Sequence, residues 1–340
     1  MKTLITDING NLSIVEVDKP KCSDYTAVVK TVSCGICNGT DMKIIHNSFK
    51  GIDQYPTILG HEGVGQVVEL GSKVKYLKEG DYVLLPFLDE GTNGYGSAWG
   101  AYSEYAVVHD RLAMFDDGLG NGYTHGQNIV PSFVDPVEAA MIITFREVLS
   151  AMRRFGFFPN ANIVVFGAGP VGLCFTKFSK LIGVDKVIVC DVIDEKVEEA
   201  LKMGADYAFN STKVDVVSEI KKILPDGADF IVDAVGNTNL INLGMNFVKD
   251  HGNLCCYGIS KTTNMQLDWS KAPYNFNLLF IQMPVKQEET WAYNQILNWI
   301  KMGVIKISDF IAEIVDFKDI ISAFDKVAAG KAGGKIIVKY

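Results

Sequence analysis

At 340 residues the chain exceeds the roughly 250–300 at which one hydrophobic core stops growing, so two domains are expected. Its 40 acidic and 32 basic residues give a formal charge of −8 with no basic run, which argues against nucleic acid as a partner. Although 48% of the residues are hydrophobic, every apolar run breaks well before the ~20 positions that a membrane helix needs. The opening MKTLITDING also lacks the apolar centre and small-residue cleavage site of a signal peptide, so a cytoplasmic protein without a membrane partner is expected.

In chain order, about the first 110 residues carry short Val-rich alternating segments, at 25–32, 64–70 and 81–86, separated by Gly- and Lys-containing turns. That is the pattern of a compact β-rich domain. Over 137–155 the period changes: Ala140, Ile143, Glu147 and Ala151 recur at steps of three or four and predict a connecting helix. Beyond it, apolar runs at 163–166, 187–190, 230–235, 254–257 and 278–283 predict strands, and the stretches 170–182 and 194–203 carry helical period. Uniformly apolar strands alternating with helices predict an α/β domain with a doubly wound parallel sheet covered on both faces. A further helix is expected at 291–302, and 334–340 reads as a last strand that rejoins the first domain, which makes the α/β domain an insertion. Seven cysteines, Cys22, Cys34, Cys37, Cys174, Cys190, Cys255 and Cys256, form an odd, scattered set among apolar neighbours, which suits reduced core residues better than a disulfide framework.

The strand IVVF is followed by Gly167-Ala168-Gly169-Pro170-Val171-Gly172, the spacing GxGxxG. The first glycine permits a tight turn, the second lets backbone amides approach a pyrophosphate, and the third allows close helix–strand packing. A helix N-terminus there supplies the positive end of a dipole. Asp191 ends the next strand, 24 positions beyond Gly167, where its carboxylate can accept from the ribose hydroxyls of NAD; the alternative role, a helix N-cap, falls better to Asp194. Val192 and Ile193 offer no arginine for a 2′-phosphate, so NAD is expected rather than NADP. Val235 and Gly258 follow the carboxyl ends of two further strands and either touch the cofactor or serve plain turns.

Two segments upstream carry metal-ligand types: Cys34-Gly35-Ile36-Cys37-Asn38-Gly39-Thr40-Asp41, and Gly60-His61-Glu62-Gly63. A structural zinc wants four closed ligands, and no second CxxC is present. Taken with the nucleotide fingerprint, these segments resemble the zinc-dependent medium-chain alcohol dehydrogenases, most nearly the sorbitol and related polyol dehydrogenases, over essentially the whole chain. The resemblance implies a GroES-like catalytic domain at 1–150 with 287–340 and a Rossmann NAD-binding domain at 151–286. It also implies a catalytic zinc on Cys37, His61 and, as in the polyol branch, Glu62, with the fourth position left for substrate. The implied reaction is hydride transfer between a secondary alcohol (a polyol, sugar or sugar phosphate) and NAD.

Three departures from the family pattern matter. The stretch 87–100, FLDEGTNGYGSAWG, lacks the four-cysteine lobe of the structural zinc, so one zinc is expected. Where the family places another ligand before the crossover helix, this chain has Ile143-Thr144; Glu147, one helical turn on, is expected to reach the zinc or its bound water, or else to pair with a nearby Lys or Arg. The proton-relay hydroxyl falls to Thr40, three residues after Cys37 rather than the usual two, and Lys43 stands where the family has a relay histidine. Rival readings are a zinc-free NADPH quinone or enoyl reductase, which would not need Cys37, His61 and Glu62 as a set, and a nucleotide-sensing or structural protein on the same fold. The rings of Tyr95, Trp99, Phe115, Tyr123 and Phe133 either line a pocket for a bulky apolar alcohol such as a sterol or simply pack. An unpaired edge at 278–283 predicts association of two nucleotide domains, hence a homodimer or homotetramer.

Overall fold

The structure, a computed structural model, describes every residue except Asp89, Gly122, Tyr123, His125, Lys261 and Thr263, and the backbone alone of Lys286. The chain folds into two compact units, one built from Met1–Arg146 with Lys286–Tyr340 and the other from Glu147–Val285. Among the described residues no helix is long and apolar enough to cross a membrane.

The first unit is organised by the strand Thr26–Gly35, in which Lys30 is the one exposed residue. It pairs antiparallel with Gly63–Leu70, with Tyr105–His109 and, at its far end, with Lys335–Lys339. Thus the last strand does return to the first unit, and it brings a parallel neighbour, Ile311–Asp316, connected through the helix Ile320–Ala328. A second sheet has the order Leu12–Glu16, Lys2–Thr6, Thr57–Ile58, Gly96–Ser97. Leu4, Cys34, Ile44, Leu59, Tyr102 and Phe324 belong to one buried core, and Ile5, Val29, Ile58 and Val83 to another. The first core draws on both sides of the insertion, whereas the second is filled entirely from residues that precede it.

The second unit carries a six-stranded sheet in the order Tyr207–Asn210, Lys186–Asp191, Asn162–Phe166, Ala228–Asp233, Val248–Cys256, Phe276–Phe280, with every pairing parallel. Strand order reverses direction at Asn162–Phe166, which makes its carboxyl end the crevice where open α/β sheets bind ligands. The five strands expected from apolar runs are present with shifted ends; Tyr207–Asn210, half-exposed and polar at its end, is a sixth that the pattern misses. The crossover helix runs Met141–Phe155 after a short 3-10 turn Glu138–Ala140. Its buried Arg146 sits within the first unit, where Nε lies 3.0 Å from the buried Glu289 carboxylate and Nη1 donates to the Gly126 carbonyl at 2.6 Å. All seven cysteines are free, and five of them are buried.

Candidate metal centre and nucleotide loop

Cys37, His61 and Glu62 each offer a ligand atom, and those atoms lie within 4.8 Å of one another. The two cysteines of CGIC differ in environment. Cys34 lies inside the strand Thr26–Gly35, fully buried, and burial pushes its thiol well above the ordinary cysteine value, so it stays neutral in the core. Cys37 has left the strand and is half-buried, just ahead of the helix Thr40–Ile45. The Thr40 amide reaches its Sγ at 3.5 Å, the contact an electron-rich sulfur favours. Thr40 therefore meets Cys37 through its backbone, with its side chain half-buried alongside.

Asp41, one residue on, ties the two ligand segments together. Fully buried, it accepts at Oδ2 from the Cys37 amide (3.0 Å) and the Tyr102 hydroxyl (2.9 Å), while Oδ1 faces His61 Nδ1 at 3.2 Å. A carboxylate behind a ligand imidazole fixes the ring and raises its basicity. Burial opposes a charge on His61, but Asp41 and then the Cys37 sulfur outweigh it and hold the imidazole pKa well above the ordinary histidine value. The Trp99 ring stands 5.4 Å from the His61 ring and meets Phe49 edge-on at 5.8 Å, forming an aromatic wall.

Glu62 is 2% exposed and is held by residues absent from either motif. Lys335 Nζ donates to both of its oxygens, at 2.8 and 2.6 Å, and the Thr144 hydroxyl donates to Oε1 at 3.3 Å. Gly35 has no side chain where a Cβ would collide with Glu62 Oε2. Thr144, at the helix position where the resemblance expects a ligand, instead donates to the candidate ligand Glu62. The ligand atoms that cluster are those of Cys37, His61 and Glu62, and Glu147 is not one of that group. Sequence reasoning missed Asp41, Thr144 and Lys335 as partners of the centre; Asp41 alone had a local signal, being four residues from Cys37. Of the aromatic residues considered for a pocket, Trp99 flanks His61, Tyr95 packs on a core, Phe115 and Phe133 are exposed, and Tyr123 lies outside the described residues.

In the second unit the glycine loop has the conformation its spacing demands. Gly167 takes φ +95° and Gly169 precedes Pro170, whose fixed φ suits the first turn of the helix Pro170–Leu181. A Cβ on Gly172 would collide with the Gly167 carbonyl, and one on Gly167 would lie 2.6 Å from Val235 Cγ2. Val171 follows in the first turn, half-exposed. Asp191 Oδ2 accepts from the Ala168 amide at 2.7 Å, while Oδ1 accepts from Val192 and Ile193 at 2.7 and 3.1 Å. Asp191 therefore braces the loop. Contrary to the sequence reading, Asp194 is not the N-cap: Ile193 holds that position, and Asp194 instead binds Asn210 and Lys213. Asp233 accepts at its carboxylate from the amides of Val235, Gly236 and Asn237, and Gly258 packs where a Cβ would strike the Gly236 amide.

Residues 23–115 match the family model described as "Alcohol dehydrogenase GroES-like domain", and residues 170–290 match "Zinc-binding dehydrogenase". The chain belongs to the zinc-dependent medium-chain alcohol dehydrogenases, oxidoreductases acting on CH–OH donors. Among its relatives, an alcohol dehydrogenase of Geobacillus stearothermophilus is 27% identical over 99% of this chain and 98% of its own. A sorbitol dehydrogenase of Bombyx mori is 27% identical over 95% of this chain and 94% of its own. Among solved structures, galactitol-1-phosphate dehydrogenase from Escherichia coli superposes with a TM-score of 0.80 at 22% identity, covering the whole of both chains, which shows the shared fold. The two-part architecture of this dehydrogenase, a GroES-like unit and a Rossmann-type parallel sheet, is that of the family.

Proposed function

We propose that this dehydrogenase carries one zinc at Cys37, His61 and Glu62 and oxidises a secondary alcohol of the polyol, sugar or sugar-phosphate class with NAD. The observation that carries the reading is the convergence of thiol, imidazole and carboxylate within 4.8 Å. That donor set suits zinc with a fourth position left for substrate. Bound zinc supplies a Lewis acid that lowers the pKa of the substrate hydroxyl. Around it, Asp41 orients His61, the Thr40 amide steadies the Cys37 sulfur, and the Thr40 hydroxyl is the candidate to carry the released proton outward. For NAD, the Gly167–Gly172 loop accommodates the pyrophosphate beside the helix N-terminus, with Pro170 and Val171 in the first turn. Asp191 retains about one acceptor site for a ribose hydroxyl, since a carboxylate accepts about four hydrogen bonds and three are used here. Val235 and Gly258 border the same strand ends.

The strand Phe276–Phe280 is an edge of its sheet, with Phe280 and Met283 exposed, and we propose that two copies pair there into a dimer. A monomer on gel filtration would overturn that pairing. Free cysteines and the lack of a membrane-spanning helix among the described residues are in keeping with a cytoplasmic location. The deciding experiment for the activity is elemental analysis of protein purified without added metal or chelator, followed by a polyol screen with NAD and NADP. About one zinc per chain and NAD-linked polyol oxidation support the reading; a zinc-free chain reducing quinones or enones with NADPH would replace it.

A further inference from the structure

We propose that Trp99 is a specificity-determining residue: its indole walls the accessible side of the metal centre and restricts the substrate to a slim, open-chain polyol, against ring-bearing or branched secondary alcohols. The proposal rests on the zinc reading above and names the substrate class of that same site. Its first ground is exposure. Glu62 and Asp41 are buried, whereas the His61 side chain keeps 13% exposure and Cys37 is half-buried, so an alcohol reaches the metal past those two. Trp99 stands there, itself half-buried, with its ring 5.4 Å from the imidazole at a tilt of 52° and met edge-on by Phe49.

The second ground is the backbone. Trp99 takes φ +68°, the left-handed region that a bulky side chain avoids, and such a conformation persists only where its surroundings impose it. The Ala98 amide donates to the Ile58 carbonyl at 2.8 Å, the Tyr102 amide to Leu59 at 2.9 Å and the Ala101 amide to Gly60 at 2.9 Å, so the segment that carries the indole is stitched to the residues leading directly into His61. On its other side the Trp99 carbonyl accepts from the Leu88 amide at 2.8 Å. Gly60, at φ +109°, permits the approach, because a Cβ there would collide with the Tyr102 amide. The same segment supplies the Tyr102 hydroxyl that donates to Asp41, the carboxylate facing His61. Wall and ligand are thereby fixed to one another. A rigid apolar ring so held suits the C–H face of an extended polyol, whose hydroxyls turn toward water and metal, and opposes a ring at the carbinol carbon.

Two measurements test the proposal. With NAD, the native chain is expected to favour open-chain polyols over cyclohexanol and 1-phenylethanol, and Trp99→Ala, or Trp99→Leu should the alanine variant not fold, to shift the ratio of kcat/KM toward the ring-bearing alcohols by about 10-fold or more at unchanged zinc content. A native chain that prefers the ring-bearing alcohols overturns the proposal, as does an equal loss on all substrates, which is what a purely structural role would give. Independently of activity, cobalt(II) bound at the centre is expected to quench part of the emission of the four tryptophans, and Trp99→Phe to remove that quenched part while still taking up one cobalt. Equal quenching with and without Trp99 overturns the proposal alone; cobalt uptake without a thiolate absorption band overturns the zinc reading, and the proposal with it.

Discussion

At the scale of single residues, the centre separates two cysteines three positions apart. Cys34→Ala is expected to leave zinc content unchanged, because its thiol is a neutral core group, whereas Cys37→Ser abolishes stoichiometric zinc; elemental analysis of the two variants checks this. Reactivity should divide in the same way. Burial raises the thiols of Cys190 and Cys256 to about 12 and those of Cys34 and Cys255 well above the usual value, so all four stay protonated near neutrality. Peptide mapping after iodoacetamide should find Cys37 alkylated in chelated protein and protected once zinc is restored; modification unaffected by zinc would count against Cys37 as a ligand. Asp191→Gly removes a charged acceptor and is expected to weaken NAD by about 1.5–3 kcal/mol, roughly 10- to 150-fold in Kd, in a fluorescence titration. How much of the site the sequence reveals depends on distance along the chain. Cys37, His61 and Glu62 stand in two short motifs, but Lys335 is 273 positions from Glu62, and no local spacing signals a partner brought in by sheet pairing. Thr144 was visible as a position that lacks the family's ligand, yet that its hydroxyl would point to a carboxylate is a matter of helix packing.

At the scale of elements, strands buried on both faces are the most legible. Asn162–Phe166 and Lys186–Asp191 carry uninterrupted buried apolar runs at 163–166 and 187–190 because each lies between two strands in the sheet, and the sequence marks them unmistakably. Tyr207–Asn210 and Ile311–Asp316 escaped notice for the opposite reason. Both are sheet edges; the first is largely half-exposed, and the second alternates half-buried with exposed residues, so neither carries a continuous apolar signal. The glycine loop was legible to the residue, since its sequence is dictated by contacts. Gly172→Ala would set a methyl against the Gly167 carbonyl, and the helix must shift to relieve it. The expected outcome is a loss of about 1–3 kcal/mol of stability in urea unfolding together with loss of NADH binding. Arg146 on the crossover helix gives a second test: Arg146→Met leaves the Glu289 carboxylate buried beside an apolar chain, at a cost of about 3–5 kcal/mol. A smaller change, below about 1 kcal/mol, would mean that the pair is solvated on breaking.

At the scale of the whole molecule, the two units offer separate ligand handles. On the proposed reading, zinc is expected to stabilise the unit that contains Cys37 and His61, and NADH the unit that contains the glycine loop. Calorimetry should therefore resolve two shifts, with chelation lowering one component and NADH at a hundredfold its Kd raising the other by about 2.7 kcal/mol; components that always move together would make the chain a single cooperative block. The return of the strand Lys335–Lys339 to pair with Thr26–Gly35 has a consequence for biosynthesis. As the chain leaves the ribosome, residues 147–285 form a contiguous stretch able to fold on emergence, whereas the segment before them must wait with an incomplete sheet. Until the strand Lys335–Lys339 is made, the Glu62 carboxylate is without the ammonium that both its oxygens accept from in the folded chain, so ordering of that buried pair waits on a segment synthesised 273 positions later.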